Sequence, residues 1–240
     1  MGATYSVFRR EFGAYFNTPI GYVFMAFFLL VTKALFVSTI FTNGSADMRG
    51  YFGLMPIFFL FFIPAISMRL WSEERKLGTL EWLLTLPLNA WQAVIGKYLA
   101  GLAFIAVFLL LTIDIPLFMH AYGNPDIGPI IGGYLGTMVL GMVYLAIGAF
   151  ASSLTADQIV AFVVAVAISF IFFLMGYPPV LEWMKDVLGS GVTSKVQLLG
   201  IEYHFESICR GVVDTRDVLY ALSMSGVFLF LNYLIVDHRR

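Results

Sequence analysis

Apolar residues fall into six long runs separated by shorter polar stretches, at about 19–41, 51–68, 96–119, 130–154, 159–177 and 218–236. A helix needs about 20 mainly apolar residues to cross a bilayer, where its own hydrogen-bond ladder must satisfy every backbone polar group. Each run predicts a membrane-spanning helix. The first opens on Asn17-Thr18-Pro19, a capping residue followed by proline at the first helical position. The second carries Pro56 and Pro64, which mark kinks. Outside the runs, residues 5–16 mix Val7, Phe8, Phe12, Tyr15 and Phe16 with Arg9, Arg10 and Glu11, an amphipathic helix suited to the membrane interface. Pro178-Pro179 ends the fifth run. Residues 181–188 then read as a short interfacial helix, Gly189-Ser190-Gly191 breaks it, and 196–213 forms a second.

Composition agrees with this pattern. The chain has 240 residues, 60% hydrophobic and 12% charged, with a mean hydropathy of +0.88. A soluble chain of this size cannot hide so much apolar surface. The expected fold is therefore all-α, one membrane domain spanning 1–240 with no internal repeat. Fourteen basic against fifteen acidic residues leave a net charge of −1. That excludes the basic surface on which nucleic-acid binding depends. The start, Met1-Gly2-Ala3-Thr4-Tyr5-Ser6, fits a myristoylation pattern, but an acyl chain adds little to a spanning protein. The first run is too long for the core of a cleaved signal peptide.

Basic residues set the orientation. With both termini inside, cytoplasmic segments hold Arg9, Arg10, Arg69, Arg75, Lys76, Lys97, Arg239 and Arg240; outside, only Arg49 lies in a short loop, the others falling in the long 178–217 connection. Short loops dominate topology, so both termini are expected in the cytoplasm.

Chemistry is sparse. The sequence lacks a phosphate-cradling GxxxxGK[ST] loop, a paired-cysteine or HExxH metal site and a GxSxG turn. The chain is expected to bind no cofactor and to lack catalysis of its own. Glu202-Tyr203-His204-Phe205-Glu206 is the nearest approach to a metal cluster, and its three potential ligands share a face only if extended. Lys33 and Asp114 lie within spans, both in the outer half, where a charge is costly; they can pair with each other, within or between subunits, or each can snorkel to the outer headgroups. Gly132–Gly136, Gly133–Thr137–Gly141 and Ala161–Ala165–Ser169 repeat small residues every fourth position, which permits close helix approach.

The segment between the second and third runs is the most informative. It reads Ser72-Glu73-Glu74-Arg75-Lys76-Leu77-Gly78-Thr79-Leu80-Glu81-Trp82-Leu83-Leu84-Thr85-Leu86-Pro87. As one helix it places Leu77, Leu80 and Leu84 on one face, packed back onto the spans. Glu74, Gly78 and Glu81 then share another face, turned toward a cytoplasmic partner.

This Glu-Glu-Arg-x-x-Gly-Thr-Leu-Glu-x-Leu-Leu-x-x-Pro motif, with Gly96-Lys97 at the next span, resembles the signature of ABC-2 type transporter permeases. The stretches Tyr203-His204-Phe205-Glu206-Ser207 and Arg210-Gly211-Val212-Val213-Asp214-Thr215-Arg216-Asp217 resemble the gliding-motility-associated branch. The likeness implies a six-span permease in a bacterial inner membrane, with an interface helix at Phe8, Arg9, Arg10 and Phe12. It implies a coupling helix at Glu73, Glu74, Arg75, Gly78, Thr79, Leu80, Glu81 and Pro87, docking on a separate ATPase that uses ATP and Mg. It implies a second permease, identical or related, and an external segment including Tyr203, His204, Phe205, Glu206, Arg210 and Asp214 that caps the exit and can meet an accessory protein. Export is the implied activity. A membrane anchor that transmits force without cargo is the alternative, and an intramembrane enzyme using Asp114 or His204 a third.

Overall fold

The computed structural model describes residues 2–43, 48–79, 89–123, 125–211 and 214–238. Every regular element among them is an α-helix. Helix α1 (Ala3–Asn17) ends because Thr18, the residue before a proline, is extended. Helix α2 (Pro19–Asn43) starts immediately. The corner is tight enough that a Cβ on Gly21 would stand 1.7 Å from the Tyr15 carbonyl oxygen. Along α1, Phe8 stacks on Phe12, and Phe12 meets Phe16 edge-to-face, both pairs at i,i+4.

Helices α3 (Arg49–Gly53), α4 (Met55–Ser67) and α5 (Arg69–Lys76) follow one another with single-residue joints. The joint at Met68 has an identifiable cause. Ser152 inserts its hydroxyl there, accepting from the Trp71 and Ser72 amides at 2.9 and 3.1 Å and donating to the Met68 carbonyl at 2.9 Å. A side chain entering the ladder is a standard origin of a helix break.

Helix α6 (Ala90–Leu111) begins where the Gln92 side chain accepts from the Asn89 amide. A break at Thr112–Ile113 separates it from α7 (Asp114–Tyr122). Helix α8 (Ile127–Leu154) is the central pillar and touches α4, α5, α6 and most later helices. Asp126 caps it, and Asp157 caps α9 (Gln158–Leu174). Three shorter helices, α10 (Pro178–Leu188), α11 (Ser190–Gln197) and α12 (Ile201–Cys209), precede α13 (Thr215–Asp237), which Asp214 caps.

The small-residue stripes are spent inside the chain. Gly132 and Gly136 receive α12, Gly133 receives Phe52, and Gly141 receives Ile105 and Phe59. Ala161, Ala165 and Ser169 are wholly buried.

Among the described residues, five helical stretches are long and apolar enough to cross a membrane: Pro19–Ser38, Met55–Lys76, Ala90–Ala121, Ile127–Leu154 and Thr215–Asp237. A sixth exists only if Gln158–Leu174 and Pro178–Leu188, bent by 67° at their joint, count together. Several expected boundaries therefore shift. The second span runs on through the joint at Met68 to Lys76. The third starts at Ala90, and the fifth is shorter than its apolar pattern, ending where Gly176 meets the chain at Gly200.

Candidate functional site

At the end of the bundle where α1 lies, four charged side chains meet. Lys97 reaches Glu11 at 3.1 Å and Glu74 at 3.0 Å, while Arg10 reaches Glu11 at 2.6 Å and Glu74 at 2.9 Å. The Lys97 side chain is only 3% exposed and its ammonium stands 5.0 Å from the centre of the Trp71 ring. Burial opposes the charge of Glu11, but Lys97 and Arg10 outweigh it and hold that carboxyl below its ordinary range. Two cations against two carboxylates make the knot neutral, which is how charges persist at low exposure. It joins three elements, α1, α5 and α6.

Close approach of the backbones permits this. A Cβ on Gly96 would lie 2.8 Å from Val7 and 3.0 Å from the Thr4 carbonyl oxygen. Beside it, Tyr15 stacks on Phe104 at 4.2 Å between ring centres. Glu11, Lys97 and Trp71 carry this site, and sequence reasoning placed none of them in it. The signal was available: a lysine opening a wholly apolar span needs an anion.

The segment expected to dock on an ATPase differs from its expected form. Helix α5 stops at Lys76, and Gly78 takes a left-handed conformation (φ 68°) that ends it. The single helix through Pro87 is thus interrupted, and Leu77 is exposed instead of packing on the spans. Glu74 turns into the knot. Arg69 grips Glu73 through two bonds of 2.8 and 3.1 Å, and Arg75 donates to the Ser153 carbonyl at 2.8 Å. What α5 leaves exposed is its end, Lys76 to Thr79. Leu80, Glu81 and Pro87 lie outside the described residues.

On α1, Phe8 joins the ring stack described above, and Arg9 is exposed. Toward the other end, Lys33 Nζ lies 2.7 Å from Asp114 Oδ2. Asp114 is the first residue of α7, after the break, so it also faces the positive end of that helix. Thr112, at the break, leaves its carbonyl to the Tyr134 hydroxyl at 2.8 Å.

In the 178–217 connection, His204 is buried. Its Nδ1 lies 2.7 Å from Asp217 Oδ1, its Nε2 lies 3.0 Å from the Leu198 carbonyl, and Tyr220 stacks on the ring at 4.0 Å. Phe205 packs inward with it, while Tyr203, Glu206 and Arg210 face outward; Arg210 pairs with Glu206 at 2.8 Å. The helical form of α12 sends His204 and Glu206 to different faces. Among the described residues, no group of three or more His, Cys, Asp or Glu side chains could hold a metal. Asp217, which fastens this segment to α13, was missed as a functional residue.

A family model described as ABC-2 family transporter protein matches residues 63–236. That range takes in the knot's Glu74 and Lys97, the docking segment, α8 and the whole later connection. The chain belongs to the ABC-2 transporter family. No curated protein matches the chain. Membership makes this ABC-2 protein a multi-pass membrane permease component of an ABC transporter, associated with an ABC ATPase in a lipid bilayer. Permeases of this family are transport subunits and usually not catalytic themselves.

Proposed function

We propose that this ABC-2 chain is the permease of an exporter in a bacterial inner membrane, related to the gliding-motility branch. Six spans leave both termini cytoplasmic, and the chain pairs with a second permease, a copy or a relative. It binds no cofactor; ATP and Mg belong to the ATPase. The observation that carries this reading is the knot of Lys97, Glu11, Glu74 and Arg10. It lies directly before the exposed turn at Gly78, so a push on residues 77–87 reaches α1 and α6 through ion pairs instead of through lipid. The external segment, fastened by His204 to Asp217, caps the exit.

The test is co-purification with the ATPase and ATP turnover of the reconstituted complex. Glu81→Arg is expected to leave the isolated permease folded while weakening assembly or uncoupling turnover, because a like charge placed in an interface costs several kcal/mol. Wild-type assembly and turnover in this variant and in a Thr79→Arg companion would reject the docking role. Normal assembly with ATP turnover but no cargo movement in vesicles would favour the force-transmitting anchor.

A further inference from the structure

Both ring nitrogens of His204 point at acceptors. Nδ1 stands 2.7 Å from the Asp217 carboxylate, Nε2 stands 3.0 Å from the Leu198 carbonyl, and the ring and the carboxylate are both buried. A carbonyl oxygen accepts and never donates, so Nε2 carries a proton. A bare Nδ1 against an ionised carboxylate at 2.7 Å would oppose two lone pairs, so a second proton lies between them. The pair therefore holds one proton more than a neutral imidazole and an ionised carboxylate hold together.

The surroundings put that proton on the ring. Asp217 lies in the first turn of α13, where the unpaired backbone amides favour a negative charge. Its Oδ2 is buried with no hydrogen-bond partner among the described residues. Tyr220 covers the ring at 4.0 Å between centres and 17° between planes, a geometry that favours a cation. Helix α12 itself brings Glu202, Tyr203 and Glu206, the last paired with Arg210. Of the helices packed on it, α13 faces the ring with Asp217 and Tyr220, while Asp214 and Arg216 are exposed. Helix α8 meets the ring with Val139, Leu140 and Val143 and carries Tyr134 and Tyr144 elsewhere. Helix α3 carries Arg49 and Tyr51, and α9 carries no titratable side chain.

We propose that His204 is a buried imidazolium acting as a proton-operated latch, which ties α12 to α13 and releases α12 when the solution on that face turns alkaline. The protonated ring favours the folded joint, so fastening is complete at low pH and is lost as pH rises. Without the proton one of the two contacts sets a nitrogen lone pair against an oxygen. The Tyr220 hydroxyl separately donates to the Leu199 carbonyl at 2.7 Å, a bond that does not involve the ring. Release therefore begins at α12 while the chain before it stays tethered to α13. The regulatory meaning rests on the segment being the external cap; the proton count does not.

The experiment is nitrogen-15 NMR of the full chain in micelles with its three histidines labelled, His204 being the signal lost in His204→Gln. Hydrogen–deuterium exchange of residues 201–209 is followed alongside and normalised to α8 in the same molecule. At about pH 7 both nitrogens of wild-type His204 are expected to carry protons. In Asp217→Asn an amide can donate to Nδ1, so a neutral ring protonated on Nε2 satisfies both contacts. At about pH 9 wild-type His204 is expected to lose one proton and 201–209 to exchange about tenfold faster, with Asp217→Asn unmoved. Comparison at equal pH cancels any titration of Glu202 on the same helix, and the α8 normalisation keeps the wild-type result decisive if the variant fails to fold. Three results would overturn the latch: a bare nitrogen on wild-type His204 at about pH 7, both protons kept with α12 unmoved at about pH 9, or equal alkaline acceleration in Asp217→Asn. Neither readout uses ATPase or cargo, so failure of the exporter reading would leave them unchanged, and an overturned latch would leave that reading standing.

Discussion

Lys97 and Glu74 stand 3.0 Å apart on helices that the chain separates by residues 77–89. Their contact makes α5 and the start of α6 one mechanical unit. Glu74 Oε2 is buried without a hydrogen-bond partner among the described residues, so the remaining carboxylate oxygen depends on its cations. Lys97→Met is expected to lower stability by about 3–5 kcal/mol, the usual cost of stranding a buried charge. Lys97→Met with Glu74→Gln is expected to recover part of that loss. Arg10, which is half exposed, contributes about 1 kcal/mol or less. Unfolding titrations in mixed micelles measure all three; a harmless Lys97→Met would show that the knot does not hold these helices.

The Lys33–Asp114 pair predicts non-additive losses. Lys33→Met and Asp114→Leu together are expected to cost less than the sum of the single changes, with a coupling of about 0.5–3 kcal/mol. Asp114 also sits at the N-terminus of α7, so its replacement is expected to cost more than that of Lys33. Strict additivity in the cycle would dismiss the partnership.

Glu202 supplies a pH dependence. Burial, assisted by the neighbouring Glu206, pushes its carboxyl up from 4.5 to about 7. The folded chain therefore holds a proton that the unfolded chain has released between those values. Stability should fall as pH rises through this window and level off above it. Glu202 keeps some solvent access, so the swing is about 1–2 kcal/mol. Glu202→Gln is expected to flatten the profile; an unchanged profile in that variant would assign the titration elsewhere.

Cys209 is expected to be a poor nucleophile. Burial, with Glu206 nearby, pushes its thiol up to about 12, so little thiolate exists at pH 8. Maleimide labelling of the native protein should be slow and should accelerate on unfolding. Rapid labelling of the folded chain would place this helix in a more open setting.

Much of the architecture was legible because lipid imposes a simple rule: long apolar runs become helices. The Lys33–Asp114 contact was legible for the same reason, since charges in such runs are few and depth can be counted along each helix. The knot was not legible, because Glu11, Glu74 and Lys97 lie on three elements whose convergence is a tertiary fact. The helix break at Met68 was hidden too. Its cause is Ser152, a residue remote in sequence that looks like an ordinary small side chain. Gly78 did offer a local signal, since glycine after Lys76-Leu77 is a common helix stop, but the leucine spacing beyond it suggested continuity. The fifth run reads as a span by pattern, and only packing of Gly176 against the Gly200 backbone shows where it turns.

Helix α2 buries one residue per turn, Phe28, Thr32 and Phe36, while Leu30, Val37 and much of its remaining surface lie open. A cylinder fastened along a single seam resists sliding but offers little torque against rolling. The first span is therefore held along one seam, with an ion pair at Lys33 and a tight corner at Gly21. Its amides are expected to exchange with solvent deuterium before those of α8, whose burial on several sides leaves it no axis about which to swing.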